Sequence, residues 1–133
     1  MEKEKPCLET GMTAEIQTTV TDAQTAQQMG SGRSPVLATP ALVALMEGTA
    51  QKIIDANIPD GWESVGTGIQ LTHDAMTPVG MTVTVRAELI GFDGKTAEFD
   101  VSAKDGQREV ARGRHRRMLA RTRTLARMLR QKP

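Results

Sequence analysis

The spacing of apolar and polar positions divides this chain into one long helix and a series of strands. Residues 40–57 place Leu42, Val43, Leu45, Met46, Ala50, Ile53 and Ile54 almost all round a helix, so this helix is expected to be buried on most sides. Thr39 and Pro40 mark its start, with a side-chain oxygen at the N-cap and a proline where a missing N–H costs nothing. Asn57, Pro59 and Gly61 end it. Residues 81–89 alternate with period two, setting Met81, Val83, Val85, Ala87 and Leu89 on one face. Residues 96–103 alternate through Ala97, Phe99, Val101 and Ala103. Asp93-Gly94 and Asp105-Gly106 are hairpin signals on either side of that second strand. A weaker alternation over 64–73 turns Val65, Ile69, Leu71 and His73 inward. Residues 12–20 read as a first strand, 22–38 as a helical turn and loop, and 108–118 as a last, polar strand. Residues 119–130 continue as strand or as a short basic helix.

The resulting order is β-α-β-β-β-β, with tight turns joining the later strands into an antiparallel meander. A long apolar helix must be covered by that sheet, and a sheet wrapped round one central helix is the economical solution. This is an α+β architecture, the hot-dog fold. One domain is expected over residues 1–133, with 1–11 flexible and 119–133 a basic C-terminal tail. An exposed sheet edge predicts self-association, as a homodimer or a dimer of dimers.

Composition narrows the classes. The chain has no Tyr, two Phe and one Trp, so its core rests on aliphatic side chains. A single cysteine, Cys7, excludes an intrachain disulfide and fits a reducing compartment. The N-terminal segment has no apolar signal core and no stretch is apolar enough to span a membrane, which makes the cytoplasm the expected location. The net charge of +1 conceals an asymmetry: residues 108–133 are strongly basic and the remainder is acidic. The basic end lacks interleaved aromatics, so a solvated face is expected there and nucleic acid is not an expected partner. No cysteine–histidine set has zinc spacing, no glycine-rich phosphate loop is present, and neither metal nor cofactor is expected. His115 stands among arginines and is expected at the surface. Met46, Met76, Met81, Met118 and Met128 are expected to pack, and Asp74 to face away from the His73 ring.

Glu47 and His73 carry the candidate chemistry. A carboxylate on the apolar helix and an imidazole at the end of an inward β-pattern are both aimed into surroundings where desolvation perturbs ionisation. Eight helical residues span about 12 Å, so a capping Thr39 cannot touch Glu47 of its own chain. Either the helix begins later, or the site is shared across a dimer; the shared site is the working expectation.

Three blocks, residues 36–50 (VLATPALVALMEGTA), 64–80 (SVGTGIQLTHDAMTPVG) and 103–117 (AKDG, then GRHRR), resemble the hot-dog thioesterases of the fluoroacetyl-CoA thioesterase-like family over most of the chain. The resemblance implies hydrolysis of a small or medium acyl-CoA, with Thr39, Glu47 and His73 as the catalytic positions and Gly66 as the family's glycine. Backbone N–H groups near Gly66 would then face the developing oxyanion, and Arg112, Arg114 and Arg116 would be candidates for the CoA phosphates. No aromatic residue precedes Trp62, so an aromatic lid from the N-terminal segment is impossible here. The alternative from another class is a non-catalytic hot-dog module that binds acyl-CoA or a similar ligand.

Overall fold

The protein is described by a computed structural model covering residues 5–131; the ends of the expected flexible segment and basic tail, 1–4 and 132–133, lie outside the described residues. Strand β1 spans Thr13–Thr19, the short helix α1 Ala26–Met29, the long helix α2 Thr39–Asp55, and strands β2 to β5 span Trp62–His73, Thr82–Phe92, Thr96–Asp105 and Arg108–Arg121. A last helix, α3, covers Thr122–Arg130, so the basic end is strand first and helix afterwards. All pairings are antiparallel, in the order β1-β3-β4-β5-β2, which leaves β1 and β2 as edges.

The β3 and β4 alternations fold as their spacing predicts. Val83, Val85, Ala87 and Leu89 join Ala97, Phe99, Val101 and Ala103 in the core, while Met81, just before β3, is left 41 % exposed. Met76 and Met128 are exposed as well, whereas Met46 is fully buried. Against this sheet α2 buries Leu42, Met46, Thr49, Ala50, Ile53 and Ile54. These positions recur every three or four residues and form one stripe. Ala44, Gln51 and Asp55 remain exposed on the opposite side. The helix therefore packs on one face; burial on most sides, expected from the spacing of its apolar positions, is not what forms. Leu8 also enters the core, and the Gly11 N–H donates to the Leu89 carbonyl. No helix among the described residues is long and apolar enough to cross a membrane.

Two irregularities place the candidate site residues. The first is the start of α2. Ala38 is the N-cap and supplies no side-chain cap, so Thr39 is the first helical residue and its hydroxyl is free for another partner. The second is a register shift in β2 between Gly66 and Gly68. On its His73 side, Leu71 opposes Gly113 and Ile69 opposes His115; beyond the shift, Gly66 opposes Arg117 and Ser64 opposes Leu119. Directly opposed residues share a face of the sheet. The extra residue thus turns Gly66 inward and sends Val65, expected inside with Ile69, to the outer face opposite Met118.

A buried carboxylate anchors the segment after β2. Asp105 accepts from the Thr77 hydroxyl at 3.0 Å and from Arg108, whose guanidinium also donates to the Met76 carbonyl. The Leu37 N–H donates to the Thr77 carbonyl, tying the strap before α2 to the same segment. At the other end of β2, Arg121 lies 4.7 Å over the Trp62 ring and the Thr122 hydroxyl donates to Glu63, fixing where α3 leaves the sheet.

The pairing of β2 with β5 depends on Gly113: a Cβ there would overlap the Gln70 carbonyl and stand 2.7 Å from Leu71 Cβ. Gly113→Ala is expected to destabilise the protein by about 3 kcal/mol or more, the upper range of overpacking costs. Gly68→Ala, with open space at its Cβ position, is expected to stay within about 1 kcal/mol of the parent. Denaturant unfolding of the two variants side by side checks the contrast.

Candidate active site

Thr39 and His73 meet at the beginning of α2 and the end of β2. Thr39 Oγ1 lies 2.8 Å from His73 Nδ1. The contact exists because the threonine is not spent on capping its own helix, as its sequence position had suggested. The other ring nitrogen, Nε2, is buried and has no hydrogen-bond partner among the described residues. Burial lowers the His73 pKa below its ordinary 6.5, opposed in part by the Asp74 carboxylate. Asp74 itself accepts from the Thr72 hydroxyl rather than from the ring. The pair opens onto a cleft of about 260 Å³ lined by Val36, Leu37, Ala38, Pro40 and Met76 among others. Ala38 is the N-cap of α2 and Thr39 and Pro40 open its first turn, so the positive end of the helix dipole faces this cleft.

Glu47 stands elsewhere in the same chain. It is half-buried on α2, two turns after Thr39, and its carboxylate lies over Gly66. A Cβ on Gly66 would meet Glu47 Oε2 at 2.7 Å, Arg117 Nη1 at 3.4 Å and His115 Cε1 at 3.4 Å. Glycine at this inward position is what lets the carboxylate, the guanidinium and the second imidazole share one spot. The chain thus brings Thr39 to His73 and Glu47 to Gly66, but not the two pairs to each other.

Arg112, Arg114 and Arg116 do share one face of β5, as alternation requires, and it is the outer face. There Arg112 pairs with Glu109, Arg114 with Asp100 and Arg116 with Glu98. The basic residue that turns inward is Arg117, only 6 % exposed. Its Nε donates to Ser64 Oγ at 2.9 Å and its Nη1 to His115 Nε2 at 3.1 Å. Burial lowers its pKa, against the raising influence of the Glu47 and Asp55 charges.

His115, expected at the surface, is 1 % exposed. It packs on Phe99 and places Nδ1 2.8 Å from the Gly68 carbonyl. Its placement follows from pairing, since β4 sets Phe99 opposite His115. The alternation Ala111, Gly113, His115, Arg117, Leu119 carries that signal, but the surrounding arginines masked it. Among the described residues, no three His, Cys, Asp or Glu side chains cluster as metal ligands.

Residues 20–123 match the family model described as FlK, fluoroacetyl-CoA-specific thioesterase. The fluoroacetyl-CoA thioesterase of Streptantibioticus cattleyicolor is 43 % identical over 82 residues, which span 62 % of this chain and 59 % of that protein. Among solved structures, the fluoroacetyl-CoA thioesterase FlK superposes with a TM-score of 0.86 at 32 % identity, covering 96 % of this chain and 98 % of that one. A thioesterase superfamily member from Thermus thermophilus gives 0.87 at 26 % identity, covering 94 % of this chain and 93 % of its own. A hot-dog-like protein from Thermanaerovibrio acidaminovorans, at 22 % identity and a TM-score of 0.86 over 95 % of both chains, shows the fold alone.

Both imidazoles have pKa values lowered by burial, whereas in the unfolded chain they return to about 6.5. The unfolded state therefore binds more protons in the window between the folded values and 6.5. Stability is expected to be complete above that window and to fall as pH drops through it. Urea unfolding at a series of pH values, with the two imidazole titrations followed by NMR, checks both the sign and the window.

Proposed function

This chain belongs to the fluoroacetyl-CoA-specific thioesterase family, and from that premise we propose that it hydrolyses the thioester of a small acyl-CoA to the free acid and CoA. The observation that carries the reading is the 2.8 Å contact between Thr39 and His73 at the positive end of α2. A thioester needs a nucleophile, a base and a donor for the oxyanion; its thiolate leaves with little help, since a thiol has a pKa of about 8.5. We assign the Thr39 hydroxyl as donor to Nδ1, which puts the ring proton on Nε2. A neutral imidazole then carries its N–H on Nε2, and a shift of the side chains that cover it would present that N–H to the thioester oxygen, where negative charge develops, beside the first turn of α2. Glu47 takes the proton of the attacking water as oxygen bonds to the carbonyl carbon, and the C–S bond breaks to release CoA thiolate.

Glu47 of the same chain is not at the Thr39–His73 pair, so the trio is completed across a dimer, with Glu47 of the partner subunit facing Thr39 and His73. Strand β2 suits such an interface. It is a sheet edge of 12 residues with Glu63 as its one acidic or basic-chain charge, so little on it opposes pairing with a second copy. It also carries both Gly66 and His73. A two-fold antiparallel pairing centred between Ile69 and Gln70 would set Gly66 of one copy against His73 of the other. The CoA phosphates would lie on the basic β5 face, where Arg112, Arg114 and Arg116 exchange their acidic neighbours for phosphate oxygens. Solved relatives hold acetyl-CoA, or fluoroacetate and CoA, which supports a short acyl group here.

Thiol release from acetyl-, fluoroacetyl-, butyryl- and hexanoyl-CoA tests the reading. Turnover is expected on the short esters, with a loss of about 100-fold or more in Glu47→Ala and in His73→Ala. Saturable binding of acyl-CoA without turnover would instead favour a binding module. Gly66→Ala is expected to fold with little change in Tm, because the Glu47 side chain can move aside, while kcat falls about tenfold or more from the displaced carboxylate. Mixing Glu47→Ala with His73→Ala subunits tests the shared site. A mixed dimer keeps one intact site and about half the parent activity if the residues come from different subunits, and none if they come from the same one.

A further inference from the structure

His115 is the buried titratable group that the proposed hydrolysis leaves unused, and its surroundings fix both ring nitrogens. A carbonyl oxygen only accepts, so the 2.8 Å contact with Gly68 puts a proton on Nδ1. A guanidinium only donates, so the 3.1 Å contact with Arg117 requires a lone pair on Nε2. One state satisfies both: the neutral ring protonated at Nδ1. The partners are themselves parts of the site. Gly68 closes the β2 bulge that turns Gly66 inward, and Arg117 flanks the position above Gly66 where the Glu47 carboxylate sits.

We propose that His115 is a positioning residue of this site, which in its neutral form holds the β2 bulge and Arg117 in place beside Glu47, and which lets Arg117 go when Nε2 is protonated. The proposal deepens the thioesterase reading and rests on it for its catalytic half. Imidazolium presents an N–H to a guanidinium, and two donors cannot share a hydrogen bond. The groups facing the ring are few. Glu47 approaches from α2 and Arg117 from β5, while β2 offers the Gly68 carbonyl and β4 the uncharged Phe99. Glu98, Arg114 and Arg116 border the same depression with His115. Arg117 is held further by Ser64, so its release would carry the start of β2 with it.

Two whole-protein variants separate positioning from packing. His115→Gln keeps an oxygen able to accept from Arg117 but does not titrate; His115→Phe keeps bulk and loses both bonds. At about pH 8, His115→Gln is expected to retain kcat within about fivefold, and His115→Phe to lose about 30-fold in kcat with KM little changed. Toward about pH 5, the parent is expected to lose about tenfold more kcat/KM than His115→Gln, one step of acid loss having been removed. Parallel pH profiles for the parent and His115→Gln, or full kcat in His115→Phe, would overturn the proposal. Nitrogen-15 NMR of the parent provides a readout free of catalysis. The Arg117 Nη1–H that His115 accepts is expected to be protected from exchange at neutral pH and to lose that protection as the His115 ring titrates. Protection that persists through the titration overturns the proposal even if His115→Phe fails to fold. Loss of protection in a parent that hydrolyses no acyl-CoA would instead leave the His115–Arg117 link standing and sink the thioesterase reading.

Discussion

The pairing of β2 with β5 is the constraint on which the site depends. His73, Gly66 and Gly68 come from one strand, His115 and Arg117 from the other, and their relative heights are set by a single ladder. Gly113 allows the two backbones to approach, and the irregularity between Gly66 and Gly68 changes which residues face the helix. A regular ladder would point Val65 at α2 and turn Gly66 away, leaving the Glu47 carboxylate against an aliphatic side chain. The bulge converts an apolar wall into a spot shared by a carboxylate, a guanidinium and an imidazole.

Much of the fold is legible in the sequence because β3 and β4 obey strict alternation and are joined by turns whose residues name themselves. Glu47 and His73 stand out in the sequence as polar residues in apolar settings, whereas Thr39 reads as a helix cap and becomes a site candidate only through the family resemblance. What escaped follows from features that a single chain of letters does not display. A bulge shifts parity by one, so Val65 and Gly66 exchange faces. The hydroxyl of Thr39 looks like a cap until the backbone at Ala38 is seen to occupy that position. His115 is surrounded in sequence by arginines, yet in space its neighbours are Phe99 and the Gly68 carbonyl. Sequence adjacency described its company on the strand; strand pairing determined its environment.

The charge asymmetry also takes a different form in three dimensions. The basic C-terminal strand lies beside the acidic residues of β4, and Arg114 and Arg116 are paired there with Asp100 and Glu98. Such exposed pairs are each worth about 0–1 kcal/mol, so they set local charge more than stability. Arg117 differs because it is buried. An unmade hydrogen bond to a buried guanidinium costs far more than one at the surface, which explains why Ser64 and His115 both turn toward it.

The stacking of Arg121 on Trp62 has a practical corollary. This is the chain's one indole, and it sits where the edge strand begins, beside the exit of α3. Fluorescence from the unmodified protein therefore reports a single, known location. Its emission maximum and quenching by iodide become a label-free gauge of whether that edge is open to water, at concentrations far below those that sizing methods require.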